Sequence, residues 1–203
     1  ITLTFDASSY LAGYTDLLAA FGTDLTAATS HYFAHGVSEG RSFDAFDENS
    51  YLAGYSDLLA AFGTNTDSAL VHYINNGYSE GRSADAFDEN SYLASNTSLI
   101  GTVTDAAAHY VTTGYAAGLA ADSFDEYGYI ASHTDLIAAF GTNATAAVQH
   151  YIDYGSTEGR AVTFDASSYL AAHADLRAAF GTDQELAKQH YINYGSDEGR
   201  TIA

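Results

Sequence analysis

The chain has 203 residues, 47% of them hydrophobic, which is enough for a sizeable core and sets it apart from disordered polypeptides. Its 26 Asp and Glu against 6 Lys and Arg give a formal charge of −20. That charge repels nucleic acid and anionic lipid, and it leaves cationic partners such as Ca²⁺ or a basic protein.

Cys, Met, Trp and Pro are absent. Disulfides, thiolate metal sites and a cysteine nucleophile are therefore excluded. Without a Met at its start, Ile1 is expected to follow processing or trimming. No apolar run approaches the ~20 residues needed to cross a bilayer, so membrane insertion is not expected and the chain reads as soluble.

In chain order, the first predicted element begins at Phe5-Asp6, where the Asp is suited to cap a helix carrying Tyr10, Leu11, Tyr14, Leu17, Leu18 and Phe21 on one stripe. Thr15-Asp16 reads as a fresh N-cap inside that stripe, and Gly22 as a left-handed C-terminal stop. A last helix is predicted from near Thr23 through His31-Tyr32 to Gly36, a second stop, and Ser-Glu-Gly-Arg then turns the chain.

The same elements recur. Phe-Asp returns at residues 46, 87, 124 and 164, at spacings of 41, 41, 37 and 40 from residue 5 onward. His-Tyr returns at residues 72, 109, 150 and 190, each time with a Gly four residues after the Tyr. Gly63, Gly141 and Gly181 take the place of Gly22, and Thr64, Thr142 and Thr182 that of Thr23; Thr182 with Glu185 reads as a capping box. The copies run about 5–45, 46–86, 87–123, 124–163 and 164–203. Ala is abundant and period-two alternation is missing, so strands are not favoured. The expected fold is all-α, a helical-repeat solenoid of five units with two or three helices each, forming a single domain over 1–203.

Copy 3 departs from the pattern. It lacks the Ala-Ala-Phe-Gly block, Ser98 stands where the others have Asp16, Asp57, Asp135 and Asp175, and Leu119 stands where they have Arg41, Arg82, Arg160 and Arg200. Joint loss of acid and base suggests that each Arg pairs with the Asp of its copy or with the adjacent Glu. Guanidinium suits carboxylates and carbonyls at helix ends, and a row of Arg for an anionic ligand is the alternative.

The His of successive copies would stand about 10 Å apart in packed helices, too far to share one metal ion with ligands at about 2.0–2.1 Å. Hydrogen bonding between helices is the expected role. His31 and His35 have the spacing of a two-His metal face, but no Glu lies between them. Asp44, Asp47 and Asn49, Asp85, Asp88 and Asn90, and Asp122 with Asp125 form oxygen-rich junctions, so they are candidate Ca²⁺ ligands. Helix capping explains the same residues. Most of the 17 Tyr fall on apolar stripes; Tyr78, Tyr115 and Tyr154 lie outside the pattern and are candidate glycan or partner contacts. No catalytic triad, phosphate loop or isolated carboxylate pair stands out, so no enzyme is expected.

The pattern Phe-Asp-x-x-x-Tyr-Leu-Ala, Asp-Leu, His-Tyr-x-x-x-Gly-x-x-Glu-Gly-Arg resembles an approximately 40-residue helical repeat of large secreted proteobacterial proteins, of the RTX (hemolysin-type) and surface-layer-like kinds. It is also similar to modules attached to some bacterial glycosyltransferases. Those relatives often carry Pro before Asp-Leu, where Thr15, Ser56, Thr134 and Ala174 stand here. The resemblance implies an extracellular or cell-surface setting with type I export, and it brings no activity of its own. The expected function is a non-catalytic structural or adhesive surface module that self-assembles into a layer or filament, helped by apolar ends at Ile1, Leu3 and Ile202. The alternative is a glycan- or Ca²⁺-binding accessory module of a larger secreted protein or glycosyltransferase.

Overall fold

A computed structural model describes residues 5–201, and these are helical with no strand among them. Ile1, Leu3 and Ile202 lie outside the described residues. Copy 1 holds α1 (Ala7–Ala12), α2 (Thr15–Phe21) and α3 (Leu25–His31), and α3 widens into a π-helical turn at Tyr32–Gly36. Copy 2 repeats this as α4 (Glu48–Ala53), α5 (Ser56–Phe62), α6 (Thr66–His72) and the turn Tyr73–Gly77. Copy 3 has α7 (Glu89–Ser95), α8 (Ala106–His109) and the turn Tyr110–Gly114, with only a 3₁₀ turn, Thr97–Leu99, in place of a second α-helix. Copy 4 has α9 (Glu126–Ala131), α10 (Thr134–Phe140), α11 (Ala144–His150), the turn Tyr151–Gly155 and the short α12 (Ser156–Glu158). Copy 5 has α13 (Ala166–Ala172), α14 (Ala174–Phe180), α15 (Gln184–His190) and the turn Tyr191–Gly195.

The first helix of a copy starts where Phe-Asp predicts. Asp6 accepts from the backbone N–H of Ser8 at 2.8 Å, Asp47 from that of Ser50 at 2.9 Å, Asp125 from that of Gly128 at 2.7 Å and Asp165 from that of Ser167 at 2.9 Å. Each such cap is worth about 1 kcal/mol.

Several sequence expectations are corrected. Thr15, Ser56 and Thr134 do not cap; they are the first helical residues, after extended Tyr14, Tyr55 and His133 that make no side-chain cap bond. Gly22 does end α2 with a positive φ, but not in the αL conformation. It sits at φ 58°, ψ −115°, and Asp24 N–H donates to Phe21 C=O at 3.1 Å, so Phe-Gly-Thr-Asp is a turn of the II′ kind. That turn occupies Thr23 and its equivalents, which moves the cap of the last helix one residue on, to Asp24, Asn65, Asn143 and Asp183. The Thr182 and Glu185 capping box therefore does not form: Asp183 accepts from Leu186 N–H at 3.0 Å and Glu185 meets Lys188 Nζ at 2.5 Å.

Gly36 ends the π turn but is not itself left-handed. The turn carries on to Gly40, which is left-handed at φ 70°, and Arg41 N–H returns to Gly36 C=O at 2.9 Å, a Schellman closure. Gly36 is small for another reason: a Cβ there would stand 2.5 Å from Tyr10 Oη. The phenol reaches the helix backbone only because no side chain intervenes.

The chain divides into two compact units, Ile1–Glu89 with Thr104–Leu119, and Asn90–Val103 with Ala120–Ala203. In the first unit α1 packs on α3 and also on α6 and its π turn, while α4 packs on α6 and on α8 and its π turn. In the second unit α9 packs on α11 and on α15 with its π turn, and α13 packs on α15. A first helix thus serves two copies. Tyr10, Tyr51, Tyr129 and Tyr169 are fully buried, with Leu11, Leu52 and Ile130 beside them. Each buried aliphatic side chain contributes about 1.5–3 kcal/mol.

Candidate functional site

The polar groups that recur in the repeat converge on its closing turn. A fully buried phenol must find a partner, and the register of the first and last helices supplies a His 21 residues on. Tyr10 Oη and His31 Nδ1 share a hydrogen bond of 2.9 Å, Tyr51 and His72 one of 2.9 Å, Tyr129 and His150 one of 3.0 Å, and Tyr169 and His190 one of 3.0 Å. Burial pushes the phenols of Tyr51, Tyr129 and Tyr169 up to about 12. Burial and then the Arg200 charge hold the His190 imidazole below its usual value. His31 and His35 stand with ring centroids 5.4 Å apart.

Beside each phenol lies an Arg strap. Arg41 donates from Nη1 and Nη2 to Asp16 at 3.0 and 2.8 Å, and from Nε to Glu39 at 2.6 Å. Arg82 holds Asp57 at 3.1 and 2.9 Å and Glu80 at 2.7 Å in the same way. Arg160 reaches Asp135 at 2.8 Å and Glu158 at 2.7 Å, and Arg200 reaches Asp175 at 2.8 Å and Glu198 at 2.5 Å. Of the two partners that the sequence leaves open, each Arg takes both. The guanidinium bond holds each Asp carboxyl below its usual range.

The residue before α2 completes the strap. Arg41 and Arg82 lie 4.8 Å over the rings of Tyr14 and Tyr55, whose phenol oxygens accept from Ser42 N–H at 2.8 Å and Ser83 N–H at 2.7 Å. His133 and His173 take that position in copies 4 and 5, with Nε2 at 3.1 Å from Ala161 O and from Thr201 O. In copy 3 the position is Asn96, whose amide donates to Ala120 O and to Tyr92 O, each at 2.8 Å. Sequence reasoning missed this tie because an amide resembles neither Tyr nor His.

The candidate Ca²⁺ ligands serve several separate bonds. Asp47 and Asp125 cap helices, Asp44 accepts from Ser9 Oγ at 2.8 Å and Asp85 from Ser50 Oγ at 2.7 Å, and Asp125 also meets Lys188 Nζ at 2.8 Å. Asn49 lies half-buried in the first turn of α4, Asp88 precedes α7, Asp122 is exposed ahead of α9, and Asn90 donates to Gln149 at 3.4 Å. Burial raises the carboxyls of the neighbouring Glu48, Glu89 and Glu126. Among the described residues no three His, Asp or Glu side chains are grouped to hold a metal ion.

The three Tyr set apart by sequence differ in setting. Tyr78 is half-buried and its phenol donates to Thr15 O at 3.4 Å, tying copy 2 to copy 1. Tyr115 is exposed and meets Tyr110 edge-on at 6.1 Å. Tyr154 is exposed beside His150 at 5.7 Å, and Tyr194, which sequence reasoning missed, sits likewise beside His190 at 5.6 Å. The shared Tyr-x-x-Tyr-Gly at 151–155 and 191–195 was the available signal.

Two hollows mark the surface near these groups. In the first unit an open groove of about 450 Å³ is lined by Phe62, Asn65, Val71, His72, Asn75 and Asn76. In the second, a hollow of about 550 Å³ is lined by Ser95, Ser123, Phe124, Tyr151, Arg160 and Val162. No helix among the described residues is long and apolar enough to cross a membrane. The chain matches no known family model, no curated protein and no solved structure.

Proposed function

We propose that the chain is a non-catalytic structural or adhesive module of the cell surface, a five-unit helical solenoid that assembles into a layer or filament. One observation carries this reading. The polar side chains that recur from copy to copy are bonded to one another: Tyr to His, Arg to Asp and Glu, Asp to helix N–H groups. Repetition spends its chemistry on the scaffold, while the exposed apolar groups, Phe33, Val37, Val71, Tyr154 and Tyr194 among them, remain for contacts. The extracellular setting rests on the resemblance of the repeat to those of secreted proteins. Electron microscopy and light scattering of the purified chain, with and without Ca²⁺, test the assembly. Layers, filaments or higher-order particles support it; monomers under every condition end it.

A second reading, glycan binding, is favoured by the groove at Phe62, where an aromatic face and a His stand beside the amides of Asn75 and Asn76. Screening on a glycan array, with Asn75→Ala and Asn76→Ala as controls, tests it: saturable binding lost in the variants supports the groove, and an array without signal removes it.

A further inference from the structure

From the unequal burial of equivalent positions we infer the assembly contact itself: α13 of one molecule seats on the π turn Tyr32–Gly36 of another, head to tail. This rests on the self-assembly reading above and names its surface.

The contact already exists inside each unit. In the first, α1 covers the π turn Tyr73–Gly77 and α4 covers Tyr110–Gly114; in the second, α9 covers Tyr191–Gly195. Both sides of this contact are largely buried. On the covering helices Ala12 is 1% exposed, Ala53 6% and Ala131 3%. On the covered turns Val111 is 4% exposed and Ile192 5%, and Ile74 is half-buried.

At two members of the series the equivalent positions are exposed. On the turn Tyr32–Gly36, Phe33 occupies the position of Val111 and Ile192 and is 67% exposed. Val37 follows it, exposed, and Phe5 stacks on Tyr32 at 4.7 Å and stands 5.5 Å from Phe33, so the face is aromatic. On α13, Ala171 occupies the position of Ala12, Ala53 and Ala131 and is exposed. A hollow of about 220 Å³ opens beside it, lined by Leu170, Ala171, Arg177 and Gln184. One face offers a large ring and the other a small-residue hollow.

Arg177 adds selectivity. It is the one Arg outside the Asp and Glu straps, and it stands where Leu18, Leu59 and Ile137 stand in copies 1, 2 and 4. A guanidinium at the rim of the hollow suits the face of an incoming aromatic ring such as Phe33. The occupant that fits is a second copy of this chain, because the missing half of each face is a surface that the same chain already makes.

The test uses the whole chain. Phe33→Glu spoils one face and Ala171→Glu the other; both positions are exposed, and circular dichroism checks that the helices persist. Sedimentation of the wild type should show association that grows with concentration, and each variant alone should need at least about tenfold more protein to associate, as expected for loss of a central contact. Mixed in equal amounts, the variants retain one good face of each kind, so they should form a dimer and stop there. Ala139→Glu, at an exposed position of α10 away from both faces, should behave as wild type. A wild type that associates while Phe33→Glu and Ala171→Glu associate equally well overturns this contact alone. A wild type that stays monomeric at the highest attainable concentration overturns the assembly reading with it.

Discussion

Copies 2 and 3 close the same turn with different chemistry. In copy 2, Arg82 grips Asp57 and Glu80 and covers Tyr55. In copy 3, Ser98 and Leu119 replace the ion pair, and the neutral Asn96 spans from the end of α7 to Ala120 O. Both copies keep the left-handed Gly, Gly81 at φ 74° and Gly118 at φ 70°, and both return an N–H to the preceding π turn at 2.9 Å. The backbone closure is thus common to both, while the side-chain tie varies. An amide tie suffices where the second α-helix, which carries the Asp elsewhere, is reduced to a 3₁₀ turn.

The largest effect should come from the part that does not vary. Gly77→Ala puts a methyl group against Tyr51 Oη, where there is no room for it. Overpacking of this kind costs about 1–3 kcal/mol, so thermal unfolding should shift by several degrees; an unchanged midpoint would show that Tyr51 can move aside. Next comes Asn96→Ala, which leaves Ala120 O without its amide donor, while Tyr92 O keeps the backbone N–H of residue 96. It should cost about 1 kcal/mol or more, and the loss should not depend on salt.

Smaller still is Arg82→Gln. Its partners are more than a third exposed, so the loss should be at most about 1 kcal/mol, and it should shrink as salt is added. The pH sign follows from Asp57, whose carboxyl the Arg82 bond holds below 3.8. Such a group stabilises the fold above the unfolded value and loses that contribution as pH falls through the lowered folded value. The gap between wild type and Arg82→Gln should therefore close in acid.

The helical repeat was legible because Phe-Asp, Tyr-Leu and His-Tyr are local signals that recur. The joint absence of an Asp and an Arg from copy 3 made their pairing a hypothesis before any distance was known. The turn Phe-Gly-Thr-Asp was misread for a local reason: Thr23 and Asp24 are both good caps, and only the backbone of Gly22 decides between them. Gly36 was misread for a distant one, since its neighbour Tyr10 Oη arrives from 26 residues away. Nor does the pattern distinguish Phe33 from Val111; exposure at one position of a repeat depends on whether a neighbouring copy lies against it.

The buried phenols also give the molecule its own optical readout. With 17 Tyr and no Trp, near-ultraviolet absorption and fluorescence come from tyrosine with no brighter residue to mask it. An ordinary phenol ionises near pH 10, while those of Tyr51, Tyr129 and Tyr169 are held up to about 12. An alkaline titration should therefore run in two stages. Because an unfolded chain ionises those phenols first, stability falls between the two stages, and the second colour change should coincide with loss of the helices.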